Sequence, residues 1–257
     1  HADHGCLDGP AHRRFWGVVA EPGSGRPADA ALVGFASDEG VRRNHGRVGA
    51  AEGPGALRAA LASLAVHEDL VVVDHGDVAV TDGDLEGGQR RLLAARVAVI
   101  GAGGLGSPSL LYLAAAGVGR ITVVDDDVVD ETNLQRQVIH SSADVGRPKI
   151  DSALERVRAL NPDVEIVGIT DHLTADNAAA MLADHDIVLD GSDNFETRYA
   201  VADACDELGV PLVWAAVYRT QAHLTVFWTA APEGHPAPGL RDLFPRSPAP
   251  GSVPACG

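Results

Sequence analysis

The stretch RVAVIGAGGLGSPSLLYLAAAGVGRITVVDDD, Arg96 to Asp127, decides the fold. RVAVI is a short apolar run of the kind that forms a strand buried on both faces. GAGGLG (Gly101–Gly106) follows at once, and SPSLLYLAAAGVG reads as a helix with small residues turned towards a sheet. RITVVDDD is the next strand, and it ends on acids that begin at Asp125. The pattern is G-x-G-x-x-G between a strand and a helix, with a carboxylate roughly 20 residues on. Glycines there let the backbone approach a phosphate closely. The helix N-terminus then presents free N–H groups and a partial positive charge. By itself the motif does not say which nucleotide it holds.

Downstream the alternation continues. PKIDSALERVRAL reads as a helix, VEIVGIT as a strand and TADNAAAMLADH as a helix starting from a Thr cap. IVLDGSD is a strand, NFETRYAVADACDELG a helix and PLVWAAVY a strand. QAHLTVFW follows so closely that it must return antiparallel. Strands alternating with helices predict a Rossmann-like, doubly wound, mostly parallel α/β sheet. From Ala231 on, Pro and Gly are frequent and the segment reads as irregular.

Upstream, residues 1–30 are polar and His-rich and give no clear element. His1, His4 and His12 lie in a stretch with no clear element, so they read as a loose segment rather than a metal site. ALVGFAS (Ala30–Ser37) is a strand, GPGALRAALASLA a helix with Leu57, Leu61 and Leu64 on one side, and DLVVVDHGDVAV a strand. That is a partial α/β segment, strand-helix-strand, ahead of the main sheet. The pattern restarts at Gln89, which predicts two units, 1–88 and 89–257.

Composition narrows the partners. The chain has 257 residues, 46% of them hydrophobic, and a formal net charge of −16. Nucleic acid is an unsuitable partner, because phosphate backbones demand clustered Lys and Arg. No run approaches the ~18 apolar residues of a membrane helix, and no signal peptide is visible. Cys6, Cys205 and Cys256 lie far apart, which fits a reduced, cytoplasmic protein and argues against a disulfide framework. The chain begins without Met and stops at ACG, so both ends read as cut.

Three constellations point past a dinucleotide. In DETNLQRQVIH, Asn133, Gln135 and Arg136 follow the acids on a loop at the carboxyl edge of the sheet, where open α/β sheets bind ligands. Arg136 suits bidentate contact with a phosphate. In GRPK, Lys149 stands at a helix start, where a cation opposes the helix dipole unless an anionic ligand is present. In GSDNFETR, Asp193 leaves the carboxyl end of a strand. A lone carboxylate amid Arg and Lys reads as a Mg²⁺ ligand for a nucleotide, or as the N-cap of the next helix.

GAGGLG, DDDVVDETNLQRQ, GRPK and DGSDNFETR together resemble the ATP-binding core of the ThiF/MoeB family, over about residues 89–257. These are ubiquitin-activating-like adenylyltransferases of molybdopterin and thiamine biosynthesis. The resemblance implies that Gly101, Gly103, Gly104 and Gly106 cradle phosphates and that Asp125 holds the ribose hydroxyls. It implies that Asn133, Gln135, Arg136, Lys149 and Asn194 contact ATP and that Asp193 binds Mg²⁺. The C-terminal glycine carboxylate of a ubiquitin-like sulfur carrier would attack the α-phosphate. Cys256 matches a family Cys with a sulfur-transfer role in some members. The zinc-binding Cys pairs of many members are missing, GLRD (Gly239–Asp242) standing where the first would be, so no zinc site is expected. Members are homodimers. Their segment after the Cys loop is missing here, as is the arginine helix that precedes the core and reaches a partner subunit.

Residues 30–89, through GFASDEGVRRNHGRVGAAEGPGALRAAL and GDVAVTDGDLE, resemble the start of a ureohydrolase, formimidoylglutamase. That family's manganese ligands do not follow, and His75 and Asp77 alone make no binuclear site. The chain thus reads as a fusion of a ureohydrolase-like fragment with a C-terminally truncated adenylyltransferase domain. Two other readings stay open: an NAD-dependent oxidoreductase, which needs only GAGGLG and Asp125, and an inactive nucleotide-binding fusion.

Overall fold

In a computed structural model of the protein, the residues described are Arg13–Arg14, Val19–Ala20, Ala30–Ala36, 52–62, Ala65–Val66, Val72–Ala79, 85–218, 221–233 and 237–247. They belong to two compact units, His1–Gly88 and Gln89–Gly257.

In the first unit, β1 (Arg13–Arg14), β2 (Val19–Ala20), β3 (Ala30–Ala36), α1 (Gly53–Ala62), β4 (Ala65–Val66) and β5 (Val72–Ala79) follow in order. β2, β5 and β3 form a parallel sheet in that order, and β1 pairs antiparallel with β4. The strand-helix-strand reading of β3, α1 and β5 matches. The two short strands before Ala30 had no signal in the sequence. The expected apolar stripe of α1 is not buried: Leu57 is 55% exposed. Leu64 lies outside the described residues, as do His1, His4, His12 and Cys6.

In the second unit, α2 (Leu85–Ala94), which begins just before the boundary, leads into β6 (Arg96–Ile100). Then come α3 (Gly106–Ala116), β7 (Arg120–Val124), α4 (Lys149–Leu160), β8 (Glu165–Ile169), α5 (Ala178–Leu182), β9 (Ile187–Asp190), α6 (Phe195–Leu208), β10 (Leu212–Tyr218), β11 (Gln221–Phe227) and α7 (Leu240–Leu243). The six-stranded sheet has the order β11-β10-β9-β6-β7-β8. Every pairing is parallel except β10–β11, which is antiparallel as the short connection required. This is the expected doubly wound α/β sheet.

Strand β6 shows why the sheet is buried on both sides. Val97 and Val99 pack into one core with Leu110, Ile121, Val123, Ile150 and Val157. Ala98 and Ile100 point the other way, into a second core with Leu182, Val188, Val201, Leu212 and Trp214. Alternate residues of one apolar strand thereby serve both faces, as a central parallel strand must.

Two elements depart from the sequence reading. α5 is shorter than the expected helix from Thr174. The reason is Asn177, whose Oδ1 accepts the Thr174 N–H at 2.8 Å while its Nδ2 donates to the His172 carbonyl at 2.9 Å. A side chain that bonds backwards in this way offers the chain a turn in place of a first helical turn. Past Ala231, the one-turn helix α7 interrupts the segment read as irregular. Asp242 accepts the Gly239 N–H at 2.8 Å and stabilises its start, and the Tyr199 hydroxyl donates to the Phe244 carbonyl at 2.6 Å.

Candidate functional site

β6 is the switch point of the sheet. From it the chain runs outward to β7 and β8, then crosses back to β9 and β10 on the other side. Ile100 aligns with both Val124 and Asp190, so the three strands end level. Gly101, Asp125 and Gly191 therefore leave the sheet together, at the crevice where open α/β sheets take ligands.

The glycine turn is built for close approach. Gly101 has φ +88°, a left-handed conformation that favours glycine, and its N–H donates to the Val124 carbonyl at 2.8 Å. A Cβ on Gly106 would lie 1.7 Å from the Gly101 carbonyl oxygen, so the helix start abuts the strand end. Leu105 at the N-cap supplies no side-chain acceptor, which leaves the start of α3 open to an anion. Facing Gly103 and Gly104 lie the side chains of Gln137 and Arg136; a Cβ on either glycine would come within 3.7 Å of them.

Asp125 is locked in place. Its Oδ2 accepts the Ala102 N–H at 2.7 Å and its Oδ1 the Asp127 N–H at 2.9 Å. Burial pushes its carboxyl above the usual range, while the Lys149 charge and the two backbone bonds pull it back. Lys149 is only 5% exposed and its Nζ meets Asp127 Oδ2 at 2.8 Å. Asp127, which also lines the cavity, is thus one anion beside the lysine at this helix start.

The loop after β9 is pinned at three points. Gly191 N–H donates to the Ile100 carbonyl at 3.0 Å, and Ser192 N–H donates to Asp190 Oδ1 at 2.8 Å. Arg198 donates to the Ser192 carbonyl from Nε at 3.2 Å and from Nη2 at 2.8 Å. Asn194, not Asp193, caps α6, its Oδ1 accepting the Thr197 N–H at 2.8 Å. The capping role open to Asp193 is therefore taken, and the Asp193 carboxylate is exposed at the site. Asp190 beneath it is buried, which pushes its carboxyl up, against the Ser192 hydrogen bonds and the Arg198 charge.

These parts enclose a cavity of about 440 Å³, lined by Gly101, Gly103, Gly104, Asp125, Arg136, Lys149 and Asp193 among others. A smaller pocket of about 90 Å³ adjoins it, between Asp126, His172, Leu173 and Asn194. Gly106 closes the turn from beneath. Asn133 and Gln135 do not line the cavity; Asn133 ends a short 3-10 turn and Gln135 points to solvent. Cys256 lies outside the described residues. The Cys205 thiol is buried and pushed up to about 12, which makes it inert.

Two cavity residues escaped the sequence reading. Gln137 is 4% exposed, and its Oε1 is buried with no hydrogen-bond partner among the described residues. Arg198 is 3% exposed, with its guanidinium over the rings of Phe195 and Trp214. Both stand inside quoted motifs, two residues from Gln135 and five from Asp193, so only their facing was hidden. Chemically, the wall offers three cations, a free carboxylate and a glycine cradle, a set suited to a polyanion with a divalent ion. Among the described residues no group of three or more His, Cys, Asp or Glu could hold a metal ion unaided. A cation at Asp193 would take most of its ligands from the bound anion and water, as Mg²⁺ does.

The ThiF family model matches residues 70–257. The chain is 54% identical over 169 residues to a probable adenylyltransferase/sulfurtransferase MoeZ of Mycobacterium tuberculosis, covering 66% of this chain and 43% of that protein. It is 50% identical to the SAMP-activating enzyme E1 of Haloferax volcanii, covering 66% of this chain and 60% of that one. Likewise it is 49% identical to the sulfur carrier protein adenylyltransferase of Thermus thermophilus, covering 66% and 62%. The chain thus spans less than two-thirds of each relative's length, from 43% to 62%. Among solved structures, E. coli MccB with MccA-N7isoASN superposes with a TM-score of 0.52 at 26% identity, covering 55% of this chain and 42% of that one. E. coli MccB with AMPCPP and MccA gives 0.50 at 27%, covering 53% and 42%.

Proposed function

The chain belongs to the ThiF family, and from that premise we propose that its second unit is the core of a Mg-ATP-dependent adenylyltransferase for a ubiquitin-like sulfur carrier. One observation carries the proposal: the cations Arg136, Lys149 and Arg198 and the uncommitted carboxylate of Asp193 line one cavity with the glycine turn, at the switch point of the sheet. A hydride-transfer enzyme would use the turn and Asp125 and leave Asp193 and Arg136 with nothing to hold.

The residues fit a nucleotide triphosphate. Gly103 and Gly104 admit phosphate oxygens without a side chain in the way. Asp125, fixed by two amides, presents its remaining lone pairs to ribose hydroxyls. Arg136 and Lys149 face the phosphate chain, with Asn194 in the pocket that adjoins it. Asp193 would hold Mg²⁺, which supplies charge neutralisation on the phosphates. The buried Oε1 of Gln137 awaits a donor, and a bound ligand or its water would provide one.

The chemistry suits these residue types. The nucleophile is the C-terminal carboxylate of the carrier, already ionised, so no general base is needed. Its oxygen forms a bond to the α-phosphorus, the bond from that phosphorus to the bridging oxygen breaks, and pyrophosphate leaves with the electron pair. The barrier lies in bringing two anions together, which positioning and fixed positive charge lower. Arg136 and Lys149 do that work. Cys256, a homodimer and a carrier ending in glycine belong to the same proposal.

For residues 30–89 we propose the ureohydrolase-like origin, supported by the parallel pairing of β3 with β5 across α1; the ThiF model overlaps its end from residue 70. Genomic sequence across 87–91 from an independent isolate tests the fusion, and a frame broken there defeats it. Activity is tested by carrier-dependent ATP–pyrophosphate exchange. Exchange is expected in the chain as it stands and lost in Asp193→Ala. Exchange that survives Asp193→Ala, or that no carrier elicits, removes the assignment.

A further inference from the structure

Arg198 is a buried cation with no carboxylate of the described residues within salt-bridge distance; the buried Asp190 carboxyl feels its charge only from beyond that distance. A buried charge is normally paired, because leaving it unpaired costs much of its solvation. What Arg198 has is one backbone carbonyl, that of Ser192, bonded from two of its nitrogens at 3.2 and 2.8 Å. Two aromatic rings hold the fork in orientation, Phe195 at 5.2 Å and Trp214 at 5.5 Å from the guanidinium carbon. The bonded carbonyl immediately precedes Asp193. On the other side, Asn194 is fixed as the cap of α6, and Asp190 holds the Ser192 amide. The backbone of Ser192 is therefore held on both sides, at its N–H by Asp190 and at its C=O by Arg198, and the next side chain is the exposed carboxylate in the cavity wall.

We propose that Arg198 is a positioning residue: it fixes the Ser192–Asp193 segment so that Asp193 meets the divalent cation of the nucleotide at the required angle. This rests on the Mg-ATP reading of the site. A planar fork bonded twice to one carbonyl and stacked on two rings sets a direction, which a lysine ammonium cannot do. Residues behind a metal ligand commonly set its affinity for the ion by such orientation. Arg198 also lines the cavity, so the competing role is direct contact with phosphate, which predicts a different dependence on metal.

The test is calorimetric titration of ATP into the full chain with Mg²⁺ and with EDTA, for the wild type, Arg198→Met and Arg198→Lys, with thermal melting of each. If Arg198 acts through Asp193, Arg198→Met weakens ATP binding in Mg²⁺ by about 10-fold. It leaves the EDTA affinity unchanged, and Arg198→Lys falls between. A parallel loss in Mg²⁺ and EDTA assigns Arg198 to the phosphates and overturns the proposal. So does an unchanged affinity in both, with only a lower melting temperature. The two readings fail separately. A wild type that binds ATP with this metal-selective dependence on Arg198 but shows no exchange removes the activity and keeps the positioning role. A wild type that exchanges with no metal-selective defect in Arg198→Met does the reverse. A wild type that binds no ATP removes both.

Discussion

At Gly106 the space between strand and helix is smaller than a methyl group, since a Cβ would stand 1.7 Å from the Gly101 carbonyl oxygen. Backbone, not a flexible side chain, is in the way. Gly106→Ala is expected to cost about 3 kcal/mol by overpacking, read as a lower urea midpoint, together with loss of nucleotide binding; a stable, binding variant would refute the close approach. His140 gives a pH effect. Its Nε2 donates to the Ala102 carbonyl at 3.1 Å, which leaves Nδ1 to accept from the Ser152 hydroxyl at 3.0 Å. Burial holds its pKa below the ordinary 6.5. The unfolded chain takes up a proton near that ordinary value while the folded ring resists until lower pH. The contribution to stability is therefore complete above pH 6.5 and declines as pH falls below it. Urea midpoints between pH 7.5 and 5.5 should fall less steeply in His140→Gln than in the wild type; equal slopes would dismiss the effect. Arg136, Lys149 and Asp193 were legible because each stands in a motif whose chemistry calls for charge. Gln137 was not: it and Gln135 look alike in a string, and the turn after Asn133 decides which one faces inward. Arg198, a charged residue on a helix, reads as solvated until Phe195 and Trp214 are seen to enclose it.

Among elements, α6 depends most visibly on one residue. Asn194 both caps it and fixes the backbone after Asp193. Asn194→Ala should cost about 1 kcal/mol, seen as a lower midpoint of urea unfolding, whereas Asn194→Asp should retain the cap; no difference between the two variants would show that the cap contributes nothing. The strands could be read from the sequence because apolar runs bounded by turn residues have few alternatives. α5 could not, because its length was set by Asn177 bonding back to Thr174 and His172, a choice that helix periodicity does not register. α7 was hidden by the Pro and Gly around it, and what holds it, the Tyr199 hydroxyl on the Phe244 carbonyl, comes from far away in the chain. The hairpin β10–β11 was legible even in direction, because two intervening residues leave no room for a parallel return.

For the whole molecule, the strand order makes the site a property of topology. The order of β6, β7, β8, β9 and β10 in the chain opens the crevice, and every residue lining the cavity belongs to the second unit. A fragment spanning 85–257 is therefore expected to unfold cooperatively and to gain the same thermal stabilisation from ATP as the full chain; a fragment that melts without a transition or ignores ATP would show that the first unit is required. The doubly wound fold was legible because alternation fixes it, whereas the exposure of Leu57 in the first unit was not, since a short apolar period does not say what covers it. The Asp125 bond to the Ala102 amide has one last consequence. That hydrogen is sheltered by the protein's own carboxylate before any ligand arrives, so its deuterium uptake is slow at the outset and has little left to lose. The protection gained on adding ATP should appear instead in the amides of Gly103, Gly104 and Leu105, giving a labelling footprint of only three successive residues at the mouth of the turn.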